Sequence, residues 1–433
     1  MTIDGSQFDD PRMRGFRSRT SVNAVHSWIE GEIRRLGLET IALGEAFGRV
    51  LAESIVAEGP VPGFDRAAMD GYAVRGEETF GAEAYGPIVF EVVGRSRPGR
   101  PSDRIVGPGQ AVAIATGAMV PRGADTVAKA EACTLIGSTT LHVTEATPPG
   151  RHVGLRGEDI QQGAEVLAAG RRLRPQDLGV LSALGRSQIQ VVRSPRVVIL
   201  VTGDELVPAG SSPGLGLISD ANSPMLAALV ARDGGKPEVV GPLPDDRASL
   251  GRSILEAARA ADLVLISGGS STGPEDHAAS LVAELGELAI HGVAIRPSSP
   301  TGLGRVGGVA VVLLPGNPVS CLCAYDFFGG RIVRILGGRP SAWPYRSTLV
   351  RLSQKLSSVL GRVDYARVII RDNEVTPLAV SGASILSSTT RADGFVVIPA
   401  DLEGYPSGAE VEVWLYDDSE PDQNKKGVRY EWL

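Results

Sequence analysis

Cysteine is scarce in this chain, with three among 433 residues: Cys133, Cys321 and Cys323. An odd count without a CxxC pair argues against a disulfide framework or a zinc knuckle. The close pair sits in the apolar run VSCLCAYDFF and reads as two core thiols. A reduced, cytoplasmic protein is therefore expected. Only five histidines occur (His26, His142, His152, His277 and His291), none at HExxH or HxxxH spacing, so a zinc enzyme is not expected. Aromatic residues make up only 5% of the chain, too few for an obvious base-stacking platform. Positive charge is not in excess: the net charge is −7 and the pI about 5.5. That balance argues against a constitutive binder of nucleic acid or anionic membrane, because phosphate neutralisation supplies most of such affinity. The longest apolar runs, Val197–Val201 and Val309–Leu314, fall far short of the ~20 residues that span a bilayer. Residues 1–20 mix acids and arginines with no apolar stretch, and read as a frayed tail rather than a secretory signal. No GxGxxG stands in Rossmann context and no GxxxxGK[ST] occurs, which weakens dinucleotide and P-loop readings.

What the chain has in plenty is glycine and proline, 54 and 29 residues, which implies much turn and β structure. With 43% hydrophobic and 21% charged residues it can bury large cores. Its length suggests about three domains. Ser21 caps an expected helix in which Val25, Trp28, Ile29, Ile33 and Leu36 recur at helical spacing, and a second helical stretch is expected over Leu43–Ile55. Residues 62–150 read as a small β domain, with strands near Ile88–Val93, Ala111–Ala115, Thr126–Lys129 and Leu141–Thr144. Residues 151–190, helical from Pro175 to about Leu184, are expected to return to residues 20–61 and form one discontinuous helical domain. Residues 191–338 alternate strand and helix. Strands are expected at Val197–Val201, Pro237–Val240, Leu263–Ile266, Ala289–Ile295 and Val309–Leu314. This pattern predicts a doubly wound, mostly parallel sheet covered on both faces. Residues 343–418 read as a second small β domain.

Open α/β sheets bind ligands beyond the carboxyl ends of their strands. Three loops leave such ends here: TGDEL with Asp204 and Glu205, SGGSSTGPED with Glu275 and Asp276, and PGNPVS. Glycines let backbone N–H groups approach a phosphate, a helix N-terminus adds a favourable dipole, and Ser270, Ser271 and Thr272 add hydroxyl donors. Carboxylates together with a divalent cation would hold such an anion, so the constellation suits a Mg²⁺–phosphate ligand. Each loop read singly is also compatible with an ordinary turn or helix cap.

The ordered series PGFDRAAMDGYAVR, IATGAMVPRGADTVAKAE, RGEDI, TGDEL, SGGSSTGPED and PGNPVS closely resembles the molybdopterin molybdenumtransferase family (MoeA in bacteria, the E domain of gephyrin in animals), from about residue 20 to 417. The resemblance implies an α/β multidomain subunit with a discontinuous helical region, a small β domain, a central α/β domain like the molybdopterin adenylyltransferases and a C-terminal β barrel. It implies a homodimer whose active site lies between the α/β domain of one subunit and the β domain of the other. The implied reaction takes adenylylated molybdopterin and molybdate, releases AMP and places molybdenum on the dithiolene sulfurs, assisted by Mg²⁺. Contact with other cofactor-synthesis proteins is implied as well.

Metal binding is expected of Asp204, Glu205 and Asp276, which should converge at adjacent strand ends. Carried over residue by residue, the resemblance assigns catalytic roles to Asp65, Asp70, Asp159, Glu205 and Asp276. It assigns substrate binding to Thr116, Thr202, Gly203, Asp220, Asn222, Gly268, Gly269, Ser270, Ser271, Thr272 and Gly273. The same role falls to Arg296, Pro315, Gly316, Asn317, Pro318, Arg362, Ser384 and Ser387. The departures lie in the cationic half. The family's KPGKP is here Arg296, Pro297, Ser298, Ser299 and Pro300, so one lysine becomes arginine and the other becomes serine. Arginine binds anions as a planar fork and lysine as a point charge. A compensating cation is expected from Arg362 or Arg391. Molybdate is the expected oxyanion, with tungstate nearly its isostere. The retained acids favour an enzyme. The altered loop leaves open a non-catalytic paralog that binds a pterin nucleotide or serves as a dimeric scaffold.

Overall fold

A computed structural model describes Phe16 and residues 18–270, 276–379 and 382–417. They fall into two compact units. One comprises residues 40–47 and 51–190; the other comprises the described residues up to Glu39, residues 48–50 and those from Val191 onward.

In the second unit, the apolar strands Arg196–Thr202, Leu263–Ser267 and Val309–Leu314 lie parallel and side by side, with Lys236–Leu243 parallel at one edge. The other edge is an antiparallel pair, Gly302–Val306 and Glu287–His291. The three central strands are buried on both faces, as their near-continuous apolar runs require. Side chains alternate between two cores. Val197, Ile199, Leu265 and Val312 face one way, toward Val25, Ile29, Leu226, Val230 and Phe328. Val198, Leu200, Ile266 and Val311 face the other, toward Leu250, Ile254, Ala257 and Val282. Four helices supply much of this cover: Val22–Glu32, Asn222–Arg232, Arg247–Ala260 and Ala278–Leu285. Ser21 caps the first, accepting from the Ala24 N–H at 3.2 Å. After PGNP the chain runs helically through Pro318–Ala324, a π turn at Tyr325–Gly329 and Gly330–Leu336. Cys321 and Cys323 are buried in this run, and burial pushes the Cys321 thiol up to about 12.

The C-terminal part of this unit is a curled β sheet. Val363–Arg371 pairs antiparallel with both Glu374–Ala379 and Gly394–Ile398, and Ser347–Leu352 joins Glu374–Ala379 to Glu410–Leu415. Glu410–Leu415 pairs in turn with Gly394–Ile398, so the pairings return to where they began. One strand of this sheet comes from elsewhere: Ile295–Arg296 adds in parallel to Val363–Asp364. The single strand expected over Ala289–Ile295 is therefore two. Gly292 turns between them at φ +88°, a conformation that favours glycine.

The other unit carries a six-stranded sheet in the spatial order Thr126–Lys129, Gly71–Val74, Gln110–Ile114, Ile88–Ser96, Thr140–Val143 and Cys133–Ile136. The helix expected over Leu43–Ile55 is not formed. Leu43–Glu45 is a single 3₁₀ turn and Ile55–Val56 a short strand. The backbone here bonds across to distant chain rather than within itself: Leu51 N–H donates to Arg171 O and Ala52 N–H to Gln190 O. Non-local pairing overrides a helical propensity that Gly44 and Gly48 already weaken.

Candidate functional site

The parallel strands of the α/β unit end together, and their following loops enclose a cleft of about 540 Å³. From TGDEL come Thr202, Gly203 and Glu205; from the glycine-rich loop, Gly268, Gly269, Ser270 and Asp276; from the PGNP turn, Gly316, Asn317 and Pro318. Asp220, Asn222 and Ser384 complete the expected residues found there. Gly268 is a position where only glycine fits: at φ +104° an added Cβ would stand 2.3 Å from the Thr202 carbonyl oxygen. That contact lets two ligand loops pack backbone to backbone. Ser271, Thr272 and Gly273 lie outside the described residues.

Asp220 is buried and opens the Asn222–Arg232 helix, its Oδ1 accepting from the N–H groups of Asn222 and Ser223 at 2.9 and 3.0 Å. Asn222 then donates from Nδ2 to Ser267 Oγ at 2.9 Å and to the Gly316 carbonyl at 2.7 Å. These two donations fix the amide's orientation and tie the PGNP turn to the central strand. They leave the buried Asn222 Oδ1 with no partner among the described residues. A buried acceptor is costly to leave unmet, so this atom is suited to a ligand donor.

Asp245, not anticipated from the sequence, is part of the cleft lining, whereas Asp204 is not. Thr202 Oγ1 donates to Asp245 Oδ1 at 2.6 Å. Asp204 instead accepts the Asp245 N–H at 3.1 Å, and its own N–H donates to Asp245 Oδ2 at 3.3 Å. The two loops thus clasp each other, and Asp204 is spent on that clasp. The signal for Asp245 was present, since LPDD leaves the carboxyl end of the fourth parallel strand. The expected convergence of Asp204, Glu205 and Asp276 on one ion is not formed. Among the described residues no three Asp, Glu, His or Cys side chains gather closely enough to hold a metal. Four carboxylates do line the cleft, from Glu205, Asp220, Asp245 and Asp276. Their hard oxygens suit a cation that substrate phosphates help to hold, not a closed protein cage.

A second cleft of about 820 Å³ adjoins the first, and Gly316 and Asn317 line both. Its charged lining is basic: Arg19, Arg296 and Arg362, with Pro315 alongside. Asp364, fully buried, accepts from Arg296 through both Nε and Nη2 and from Ser358 Oγ at 2.7 Å. Arg362 Nε stands 3.2 Å from the same carboxylate. Arg391, the other cation expected here, donates from Nε to the Ser387 carbonyl at 3.2 Å and lines neither cleft. Ser387 itself begins the short Ser387–Arg391 helix and does not line them either.

The remaining expected residues belong to the other unit. Asp70 Oδ1 accepts from both the backbone N–H and the hydroxyl of Thr116, at 2.6 and 2.9 Å. Those bonds hold the Asp70 carboxyl below its ordinary range. Asp65 Oδ1 accepts the Arg156 N–H at 2.7 Å. Asp159 lies in the same RGEDI turn, its N–H bonded to the Val61 carbonyl at 3.1 Å.

Three family descriptions match successive parts of the chain: MoeA N-terminal region (domain I and II) over residues 20–185, probable molybdopterin binding domain over 198–334, and MoeA C-terminal region (domain IV) over 350–416. Molybdopterin molybdenumtransferase 2 of Mycobacterium tuberculosis is 34% identical over 384 residues, covering 87% of this chain and 94% of its own. The molybdopterin molybdenumtransferase of Bacillus subtilis is 30% identical over 387 residues, covering 87% and 89%. Two solved structures of a molybdopterin biosynthesis MoeA protein from Pyrococcus horikoshii match with TM-scores of 0.80 and 0.73, at 34% and 32% identity. Each match covers 92% of this chain and 100% of the other.

Proposed function

This chain belongs to the MoeA family of molybdenum cofactor biosynthesis, and from that premise we propose that it is a molybdopterin molybdenumtransferase acting on adenylylated molybdopterin and molybdate. One observation carries the reading: an acid-lined cleft and an arginine-lined cleft share Gly316 and Asn317. A pterin nucleotide and a free oxyanion bound in the two would meet over that turn. In the acidic cleft, Asn222 Oδ1, which meets no partner among the described residues, accepts from a pterin N–H, and the glycine loop offers backbone donors to the phosphates. Glu205 and Asp276 would hold a Mg²⁺ that arrives with those phosphates, where it offsets their charge against the carboxylates. Arg296 and Arg362 present N–H groups to molybdate in the basic cleft.

The reading extends to a cytoplasmic homodimer in which Asp65 and Asp70 of one subunit serve the partner's reaction, as the family resemblance implies, and to contact with other cofactor-synthesis proteins. No described helix is long and apolar enough to cross a membrane. A second reading, a pterin-nucleotide-binding scaffold without catalysis, has one observation in its favour: Asp364 offsets part of the positive charge of Arg296 and Arg362. Purified protein given adenylylated molybdopterin and molybdate should release AMP. No AMP above the protein-free rate, with the pterin nucleotide still bound, would assign the chain to the scaffold reading.

A further inference from the structure

We propose that Arg19, from the segment ahead of the first helix, is an oxyanion-binding residue that completes the basic cleft. The inference rests on the reading of that cleft as an anion site. Its starting point is a charge count. Arg296 and Arg362 both pair with the buried Asp364, so the three groups together carry a single net positive charge. A tetrahedral dianion calls for two.

The loop after Arg296 does not supply the second. Ser298 is buried and donates its hydroxyl to the Ser320 carbonyl at 2.6 Å, and Ser299 bears no charge. Arg19 comes to that spot, its Nε donating to Ser299 Oγ at 2.7 Å. It lines the cleft with Arg296 and Arg362 and pairs with no carboxylate among the described residues. Its full charge is thus available to a ligand, and its Nη groups supply further donors.

The segment is anchored where such a role needs it to be. Thr20 N–H donates to the Gly292 carbonyl at 2.9 Å, and the Ala294 N–H returns to Thr20 O at 2.8 Å. Phe16 packs edge-on against His291, ring centroids 5.0 Å apart. Phe16 occupies the space a side chain at 292 would fill, since a Cβ on Gly292 would lie 2.6 Å from its ring. Arg19 is therefore held between two fixed points beside Ser299, although residues 1–20 read as a tail by composition.

The ligand chemistry is a tetrahedral oxyanion, met as free molybdate or as the phosphate of a nucleotide. Calorimetric titration of the full chain with molybdate and, separately, with AMP distinguishes the two. Arg19→Gln is expected to weaken molybdate binding roughly tenfold, with Arg19→Lys recovering most of it and the melting temperature unchanged. Phe16→Ala, which loosens the anchor without touching the charge, should fall between. A loss of AMP affinity with molybdate affinity intact would keep Arg19 as an anion ligand and identify the anion as the nucleotide phosphate. Unchanged binding of both anions in Arg19→Gln, with Arg296→Ala binding molybdate weakly, would overturn the role of Arg19 and leave the anion cleft standing. Binding of both anions unchanged in both variants would overturn the cleft reading itself.

Discussion

Arg296 and Asp364 are register partners in adjoining parallel strands, and the guanidinium of one grips the carboxylate of the other through two hydrogen bonds. The pairing joins the α/β sheet's edge loop to the C-terminal β sheet. A fully buried carboxylate thereby orients an arginine at the rim of the basic cleft. Asp364 both weakens the cleft's charge and fixes its geometry.

Arg296→Ala should therefore do two things at once. Molybdate binding should weaken by about 10- to 150-fold, the scale of one charge-assisted contact. Stability should fall by about 2 kcal/mol, because Asp364 stays buried with less to offset its charge. Arg296→Lys keeps the charge and loses the fork, so it should recover affinity more than stability. Titration calorimetry and urea unfolding read the two effects separately; wild-type molybdate affinity in Arg296→Ala would remove Arg296 from the anion site.

Glu205→Gln keeps the side chain's shape and removes its charge. AMP release should drop by at least ~10²-fold, the scale of losing a positioned acid–base or metal-holding group. The fall should be smaller for Asp204→Asn, since Asp204 is engaged with the Asp245 backbone and does not line the cleft. Single-turnover assays of the two variants test this order; equal losses would contradict it.

If Asp65 serves the partner's reaction, two inactive variants should rescue each other. Asp65→Asn and Glu205→Gln subunits, mixed and exchanged, should yield about one working site per mixed dimer of two-fold symmetry. Native mass spectrometry establishes the exchange and AMP release reads the rescue. No recovered activity in proven mixed dimers would place Asp65 outside the partner's site.

Acid stability should depend on Asp262. Burial by itself raises its carboxyl, but the forked Arg193 guanidinium and the Arg196 N–H outweigh this and hold it below the ordinary range. A carboxyl depressed in the folded state contributes stability above its unfolded value, near pH 4, and loses it as pH falls through the lowered value. Asp262→Asn should cost about 2 kcal/mol at pH 7. It should also flatten the acid side of the stability curve, as measured by urea unfolding between neutral and acid pH. A variant with the natural slope would show that Asp262 contributes nothing to acid unfolding.

The α/β sheet was legible because its central strands are buried on both faces, and burial on both faces leaves a continuous apolar run such as Val197–Val201. The glycine-rich and PGNP loops were legible as strand-end loops for the same reason. The missing helix at Leu43–Ile55 was not legible: its amide groups bond to Arg171 and Gln190, more than a hundred residues away. Asp245 was readable in principle from its place after a parallel strand. Arg19 was not, because an arginine in a polar segment looks the same whether it is solvated or docked.

The sequence by itself determined which residue types stand at the ends of which strands, and with them the acidic chemistry around Glu205, Asp220 and Asp276. Local periodicity and turn chemistry act over a few residues, and those features are local. Only the tertiary structure decided how charges from distant segments combine. Arg19, Arg296, Arg362 and Asp364 span most of the chain, and their net effect depends on ångström-scale pairing. Electrostatic interaction follows distance and burial in space, which sequence separation does not record.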